Sequence, residues 1–407
     1  MLSVEEALRE VLLRATTRPA AVCSLDESLG RVLVEDISSD IDSPPHDKSL
    51  VDGYAVVAAD FAEGPAELDI LEEVTAGALP TRIVTRGNTT RIMTGAPIPS
   101  GADAVVMVEQ TQPVVGPGLG SVRVSSPKVT RGQNIMRRAT SMTRGQLVLR
   151  SGSEIRPIEI GVMAEVGRTQ VRVVRQPSVG VLATGNELVP VSQTPAPGQI
   201  RNSNGPMLVA AVRACGAEPL DLGFARDDRQ ELLRLIAAGL ECDALVISGG
   251  VSAGVLDLVP DVLDELGVAQ VFHKVNLKPG KPLWFGVLAS AAGDKLVFGL
   301  PGNPVSSLVC FELFVRPAIG RLAGLADVRP RETKAKLSAP FSQRADRPTY
   351  FPARLSNLDN EPTINPLAWQ GSGDLRTLAE ANALAYFPAG QHEFAAGEII
   401  RVLPLGR

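Results

Sequence analysis

"SVGVLATG", residues 178–185, is apolar almost throughout, has no alternating polar face and stops at a glycine. An extended segment of that kind is buried on both sides, as an inner strand is in a sheet with helices on each face. The chain that follows repeats the condition. "NSNGPMLVAAVRACG" (202–216) predicts a helix with Asn204 at its N-cap and Gly216 just past its end. "AEPLDLGF", "DRQELLRLIAAGL", "CDALVISGG", "DLVPDVLDELG", "KLVFGLPG" and "NPVSSLVCFELFVRPAIGRLAG" then continue the alternation of buried strand and helix as far as Gly324. These are βαβ units, so this region predicts an α/β domain whose parallel sheet is covered on both faces.

Outward from that domain the pattern changes. "MLSVEEALREVLLRA" predicts an amphipathic helix rather than a signal peptide, with Ser3 and Glu6 at capping-box spacing and Val4, Ala7, Leu8, Val11 and Leu12 in one stripe. "VDGYAVVAAD", "TRIVTRGNTTRIMTGAPIPSGADAVVMVEQT" and "SVRVSSPKVTRGQNI" predict a mostly β segment, and a strand, a turn and a short helix near Pro157 follow it. Beyond Gly324, "AKLSAP", "TYFPARL", "NALAYFP" and "EIIRVLPL" predict a small β-barrel or β-sandwich.

A chain of 407 residues, 44% of them hydrophobic, is long enough for several cored domains. Its net charge of −5 argues against a nucleic-acid binder, which needs a basic surface to displace phosphate counterions. Cys23, Cys215, Cys242 and Cys310 are dispersed with no C-x-x-C pair, which fits a reducing cytoplasm. With only His46, His273 and His392, a histidine-rich metal site or a Ser-His-Asp triad has little to draw on. No apolar run is long enough to span a bilayer.

In an open parallel sheet, ligands collect outside the carboxyl ends of the strands. The segments there are "ATGNEL" (183–188), "FARDD" (224–228), "SGGVSAGVLD" (248–257) and "LPGNPVSS" (300–307). Three of them carry glycines that let backbone N–H groups approach an anion, and those three lead toward helix N-termini. None reads G-K-[ST] after its glycines or G-x-G-x-x-G, which disfavours a P-loop or a dinucleotide site. Glu187, Asp227, Asp228 and Asp257 add carboxylates, and carboxylates beside a phosphate site are the setting of Mg²⁺.

"HKVNLKPGKPLWFG" (273–286) gathers Lys274, Lys278 and Lys281 around a Pro-Gly turn. Two ammonium groups about 6 Å apart repel by roughly 3 kcal/mol at an effective dielectric near 20, and an anion between them reverses the sign. Structural readings stay open beside the functional ones. Asp257 and the Asn303–Pro304 pair fit helix starts, Asp227 and Asp228 a solvated turn, Glu187 a loop, and the lysines the guarding of an exposed edge strand.

"SLVDGYAV", "RIMTGAPIPSGADAVVMVE", "TGNELV", "SGGVSAGVLD", "KPGKP" and "GLPGNPVSS", in this order, resemble the motifs of the MoeA-type molybdopterin molybdenumtransferases, the family that includes the E domain of gephyrin. The resemblance implies a multidomain α/β plus β fold: a three-layer α/β/α molybdopterin-binding-like domain, an inserted β domain and a C-terminal β-barrel-like domain. It implies domain I at about 1–44 and 139–177, the β domain at 45–138, the α/β domain at 178–326 and the C-terminal domain at 327–407. It further implies a cytoplasmic enzyme that takes adenylylated molybdopterin and molybdate, hydrolyses the adenylate with Mg²⁺, and releases AMP and molybdenum cofactor. A non-catalytic molybdopterin-binding scaffold and a nucleotide or pterin hydrolase are the alternatives.

By the same resemblance the protein is a homodimer with shared active sites, and its partners are a molybdopterin adenylyltransferase and molybdoenzyme-maturation proteins. Asp52 and Thr94 reach the site from the second subunit. Glu187, Asp227 and Asp257 serve the adenylate end, the last two as Mg²⁺ ligands, and Lys274, Lys278 and Lys281 serve the anionic end. Thr184, Gly185, Gly249, Gly250, Ser252, Pro301, Gly302, Asn303 and Pro304 bind the cofactor, while Lys278, Lys281, Pro282, Ser306, Arg347 and Ser372 surround the molybdate. Leu50, Val51, Asn134 and Asn202 depart from the usual motifs, and neither asparagine is assigned to the metal.

Overall fold

The computed structural model describes residues 1–126, 128–251, 258–291, 293–358 and 361–406. The chain forms two compact units, one of residues 1–35, 152–156 and 170–407, the other of residues 36–151 and 157–169.

At the centre of the first unit is a six-stranded sheet. Glu218–Ala225, Ser178–Thr184, Ala244–Ser248 and Lys295–Leu300 run parallel in that spatial order. Six of the seven residues of Ser178–Thr184 are buried, as its apolar sequence requires. On one face Val179 and Val181 pack with Leu208, Val212, Val305 and Val309, joined by Ala7 and Val11 of the N-terminal helix. On the other face Leu182, Leu245 and Ile247 pack with Leu232, Ile236, Val262 and Leu263. The result is a three-layer α/β/α sandwich.

The sheet is not wholly parallel. Trp284–Leu288 runs antiparallel to Lys295–Leu300, and Ala269–His273 antiparallel to Trp284–Leu288. The described residues of 274–283 and 289–294 contain no helix, and a short connection without a crossover can only return the chain antiparallel.

The predicted N-terminal helix spans Val4–Arg14, with Ser3 and Glu6 exchanging both capping-box hydrogen bonds. After the last parallel strand, Pro304–Cys310 and Arg316–Leu322 are α-helical, and the turn between them, Phe311–Val315, is a π-helix. Pro317 has no N–H to give the α-ladder, and a π-turn just before it accommodates that loss. The chain ends in a closed barrel of Thr333–Leu337, Glu361–Pro366, Thr349–Leu358, Ala383–Phe387 and Ile399–Pro404. Ala335, Ile364, Phe387 and Val402 fill it.

The second unit carries its own six-stranded sheet, including Gly53–Val56 antiparallel to Asn88–Ile92 with Gly53 opposite Ile92. This register puts Asp52 and Thr94 at one end of neighbouring strands.

Candidate functional site

Outside the carboxyl ends of the four parallel strands lies a cavity of about 480 Å³. Thr184, Gly185, Glu187, Asp227, Gly249, Gly250, Gly302, Asn303 and Pro304 line it, so nine of the residues singled out in the sequence meet there. Asn202, Ser203 and Asn204 at the start of a helix, Arg201 just before it, Ser248 and Gly373 near the C-terminal barrel also line it.

Two glycines are required by their surroundings. Gly249 has φ +98, and a Cβ on it would lie 2.4 Å from the Thr184 carbonyl oxygen. Gly185 has φ +147, and a Cβ there would meet the Glu187 carboxylate at the same 2.4 Å. Beside them, Asp227 donates its N–H to Asn186 Oδ1 at 3.1 Å. Asp228 turns away to cap Arg229–Gly239, accepting from the Glu231 N–H at 2.8 Å. The two adjacent aspartates thus separate into a pocket residue and a helix cap.

Asn204 is not the N-cap that the sequence predicted. The helix runs Asn204–Ala214, and Asn202 Oδ1 accepts the Gly205 N–H at 2.9 Å, which frees Asn204 for the pocket floor. Its amide donates to Ser248 Oγ at 2.8 Å and to the Gly302 carbonyl at 2.7 Å. Ser307 donates its hydroxyl to the Pro301 carbonyl, which leaves Ser248 to donate to Ser307 Oγ at 3.1 Å. Sequence reasoning missed Asn204, Ser248 and Ser307 as a group, because each belongs to a different element. Asn303 occupies an N-cap position with Pro304 behind it, yet its side chain makes no capping bond. Asp257 and Ser252 lie outside the described residues, and the helix Val259–Glu265 has Leu258 at its N-cap position.

The lysine loop also differs from expectation. The Lys278–Pro279 peptide is cis. Lys274 has φ +74, so the segment is kinked rather than extended. Side chains still alternate along it: Val275 and Leu277 are fully buried while Lys274, Asn276 and Lys278 are partly exposed. Its backbone is engaged, with Lys274 donating to the Leu283 carbonyl, Val275 to Lys281, Asn276 to Leu2 and Lys278 to Pro348. An open edge strand in need of charged guards is therefore excluded.

That bonding brings Arg347 to the loop, where its Nη1 donates to the Leu277 carbonyl at 3.1 Å. Arg347 also holds the Asp346 carboxyl below the usual range by its hydrogen bond, with Lys278 adding to the effect. Cys310 Sγ contacts the Gly280 carbonyl at 3.6 Å, and Ser306 lies one turn earlier on the same helical face. The Ser372 carbonyl accepts the Val305 N–H at 3.0 Å. The helix Pro304–Cys310, whose first residue borders the cavity, thus touches Ser372 at its start and Gly280 of the lysine loop at its end.

In the other unit, Thr94 donates to Asp52 Oδ1 from both its N–H, at 2.6 Å, and its hydroxyl, at 2.7 Å. These two bonds hold the Asp52 carboxyl below its ordinary value. A larger cavity of about 730 Å³, beside Arg316–Leu322, has no part in this chemistry: it holds no glycine loop, and Glu312 and Arg316 there satisfy each other through two hydrogen bonds.

Comparison with known proteins agrees with this architecture. The family descriptions "MoeA N-terminal region (domain I and II)", "Probable molybdopterin binding domain" and "MoeA C-terminal region (domain IV)" match residues 2–167, 180–321 and 334–405. The molybdopterin molybdenumtransferase of Staphylococcus aureus is 33% identical over 405 residues, covering 98% of this chain and 94% of that protein. The chain belongs to the MoeA family of molybdopterin molybdenumtransferases. Its counterpart from Staphylococcus epidermidis is 34% identical, covering 99% and 95%. The crystal structure of the molybdopterin biosynthesis MoeA protein from Pyrococcus horikoshii aligns with a TM-score of 0.80 at 31% identity over 99% of both chains. The chain is thus an enzyme of molybdenum cofactor biosynthesis.

Proposed function

We propose that the protein binds adenylylated molybdopterin, cleaves its adenylate with Mg²⁺ and inserts molybdate, releasing AMP and molybdenum cofactor. The observation that carries this reading is the cavity where glycine loops and two carboxylates, Glu187 and Asp227, meet, with the helix that starts at its edge running to a contact between Cys310 and Gly280 of the lysine loop. Backbone N–H groups of the glycine loops supply donors for phosphate oxygens. Glu187 and Asp227 fit a partly hydrated Mg²⁺, which takes one or two carboxylates along with phosphate oxygens. When bound, the ion supplies positive charge against the phosphates. Water adds to the adenylyl phosphorus as the phosphoanhydride bond breaks, AMP leaves, and phosphate stays on the molybdopterin. Lys278, Lys281 and Arg347 provide the positive field for molybdate, a dianion. In a homodimer the second subunit contributes its Asp52–Thr94 pair.

The test is incubation of the protein with adenylylated molybdopterin, Mg²⁺ and molybdate, measuring AMP and the cofactor able to activate an apo-molybdoenzyme. Both products are expected. AMP without cofactor makes the protein a hydrolase, and neither product makes it a binding scaffold.

A further inference from the structure

Two polar atoms of the cavity have no partner among the described residues. Asn204 is 8% exposed, and its amide nitrogen is spent on Ser248 Oγ and the Gly302 carbonyl. A carbonyl only accepts, so the Gly302 contact fixes which amide atom is nitrogen and leaves Oδ1 on the other side. That oxygen meets no donor among the described residues. Thr184, 4% exposed, likewise has an Oγ1 without a partner. Both residues line the same cavity. Buried polar atoms are seldom left unsatisfied, because nothing repays their lost hydration, and an exception in a pocket marks the place of a ligand atom.

The chemistry of the two atoms narrows that ligand. Asn204 Oδ1 can only accept, so it rejects a deprotonated phosphate oxygen and takes a donor, an N–H or an O–H. Thr184 Oγ1 both donates and accepts, so it can serve a ring nitrogen in either protonation state. The Asn204 amide cannot turn over to suit a different ligand without setting its oxygen against the Gly302 carbonyl. We infer that Asn204 and Thr184 form a reading corner for an amino-substituted nitrogen heterocycle. The exocyclic amino group donates to Asn204 Oδ1, and the adjacent ring nitrogen pairs with the Thr184 hydroxyl. This rests on the proposed function, whose substrate contains two rings of this class, a pterin and an adenine. Ser248 and Ser307 hold the corner in place from below, tying it to the Pro301 carbonyl. Phosphate oxygens are thereby directed to the glycine N–H groups, and the ring to the asparagine.

Calorimetric binding of AMP against IMP, and of pterin against lumazine, tests the corner on the full chain, since each second compound carries an oxo group in place of the amino group. In the wild type, one amino ligand is expected to bind at least about tenfold more tightly than its oxo counterpart, and the pair that shows the preference identifies the ring. Asn204→Ala brings that ratio to within about twofold. Should Asn204→Ala fail to fold, Thr184→Val decides: binding of the preferred ligand falls about fivefold or more while the melting temperature is not lowered. Equal binding within both pairs overturns the corner and leaves the proposed function standing. So does a Thr184→Val protein that binds as the wild type does. Failure of all four ligands to bind the wild type overturns the proposed function and the corner with it.

Discussion

Asp243 stands at the head of the strand Ala244–Ser248 with its side chain 10% exposed. Burial pushes its carboxyl pKa up, but hydrogen bonds from Arg175 and Ser178 and the charges of Arg175 and Arg18 outweigh that effect and hold it below the ordinary aspartate value. A depressed folded value contributes stability that is present above the unfolded pKa, about 3.9, and is lost as pH falls through the folded one. Asp243→Ala is expected to cost about 3–5 kcal/mol in denaturant unfolding at neutral pH, because Arg18, 2% exposed, then loses its buried counter-charge. Below about pH 4 the wild type should converge on the variant. At this scale the sequence was partly readable. Gly249 and Gly250 announce a close backbone approach, and the three-residue spacing of Asn202 and Gly205 is a capping signal that was available. The unpartnered oxygen of Asn204 was not readable, since it depends on where Ser248 and Gly302 lie in space.

At the scale of the element, the lysine loop combines expected and unexpected features. Burial of Val275 and Leu277 follows from alternation, whereas the cis peptide and the positive φ of Lys274 leave no mark in residue type. The antiparallel edge of the sheet follows in hindsight from connections too short for a crossover helix. Lys281 is exposed, and its backbone carbonyl already accepts the Val275 N–H, so replacing its side chain leaves the loop's hydrogen bonds in place. Lys281→Ala should therefore raise the molybdate concentration for half-maximal cofactor formation at least about tenfold, equivalent to roughly 1.4 kcal/mol. Thermal stability without ligand should stay level or rise slightly, because a like charge is removed from beside Lys278. A wild-type molybdate dependence in this variant would show that the loop does not hold the oxyanion.

For the whole molecule, the order of buried strands and helices in residues 178–324 predicts which strand ends meet, and four of those ends do enclose one cavity. The closure of the C-terminal strands into a barrel was one of two readings, since short alternating strands serve a sandwich as well. The approach of Arg347 to Leu277, 70 residues apart, joins the barrel's edge to the lysine loop, and only the shared family motifs hinted at it. The proposed function makes the glycine-loop cavity and the lysine loop two ends of one substrate site. Its most direct test is a crystal of the protein grown with AMP and molybdate and measured at the molybdenum absorption edge. An anomalous peak is expected against Lys278, Lys281 and Arg347, with AMP in the cavity lined by Glu187 and Asp227 and Asp52 of the partner subunit beside it. Molybdenum bound elsewhere, or AMP outside that cavity, would contradict it.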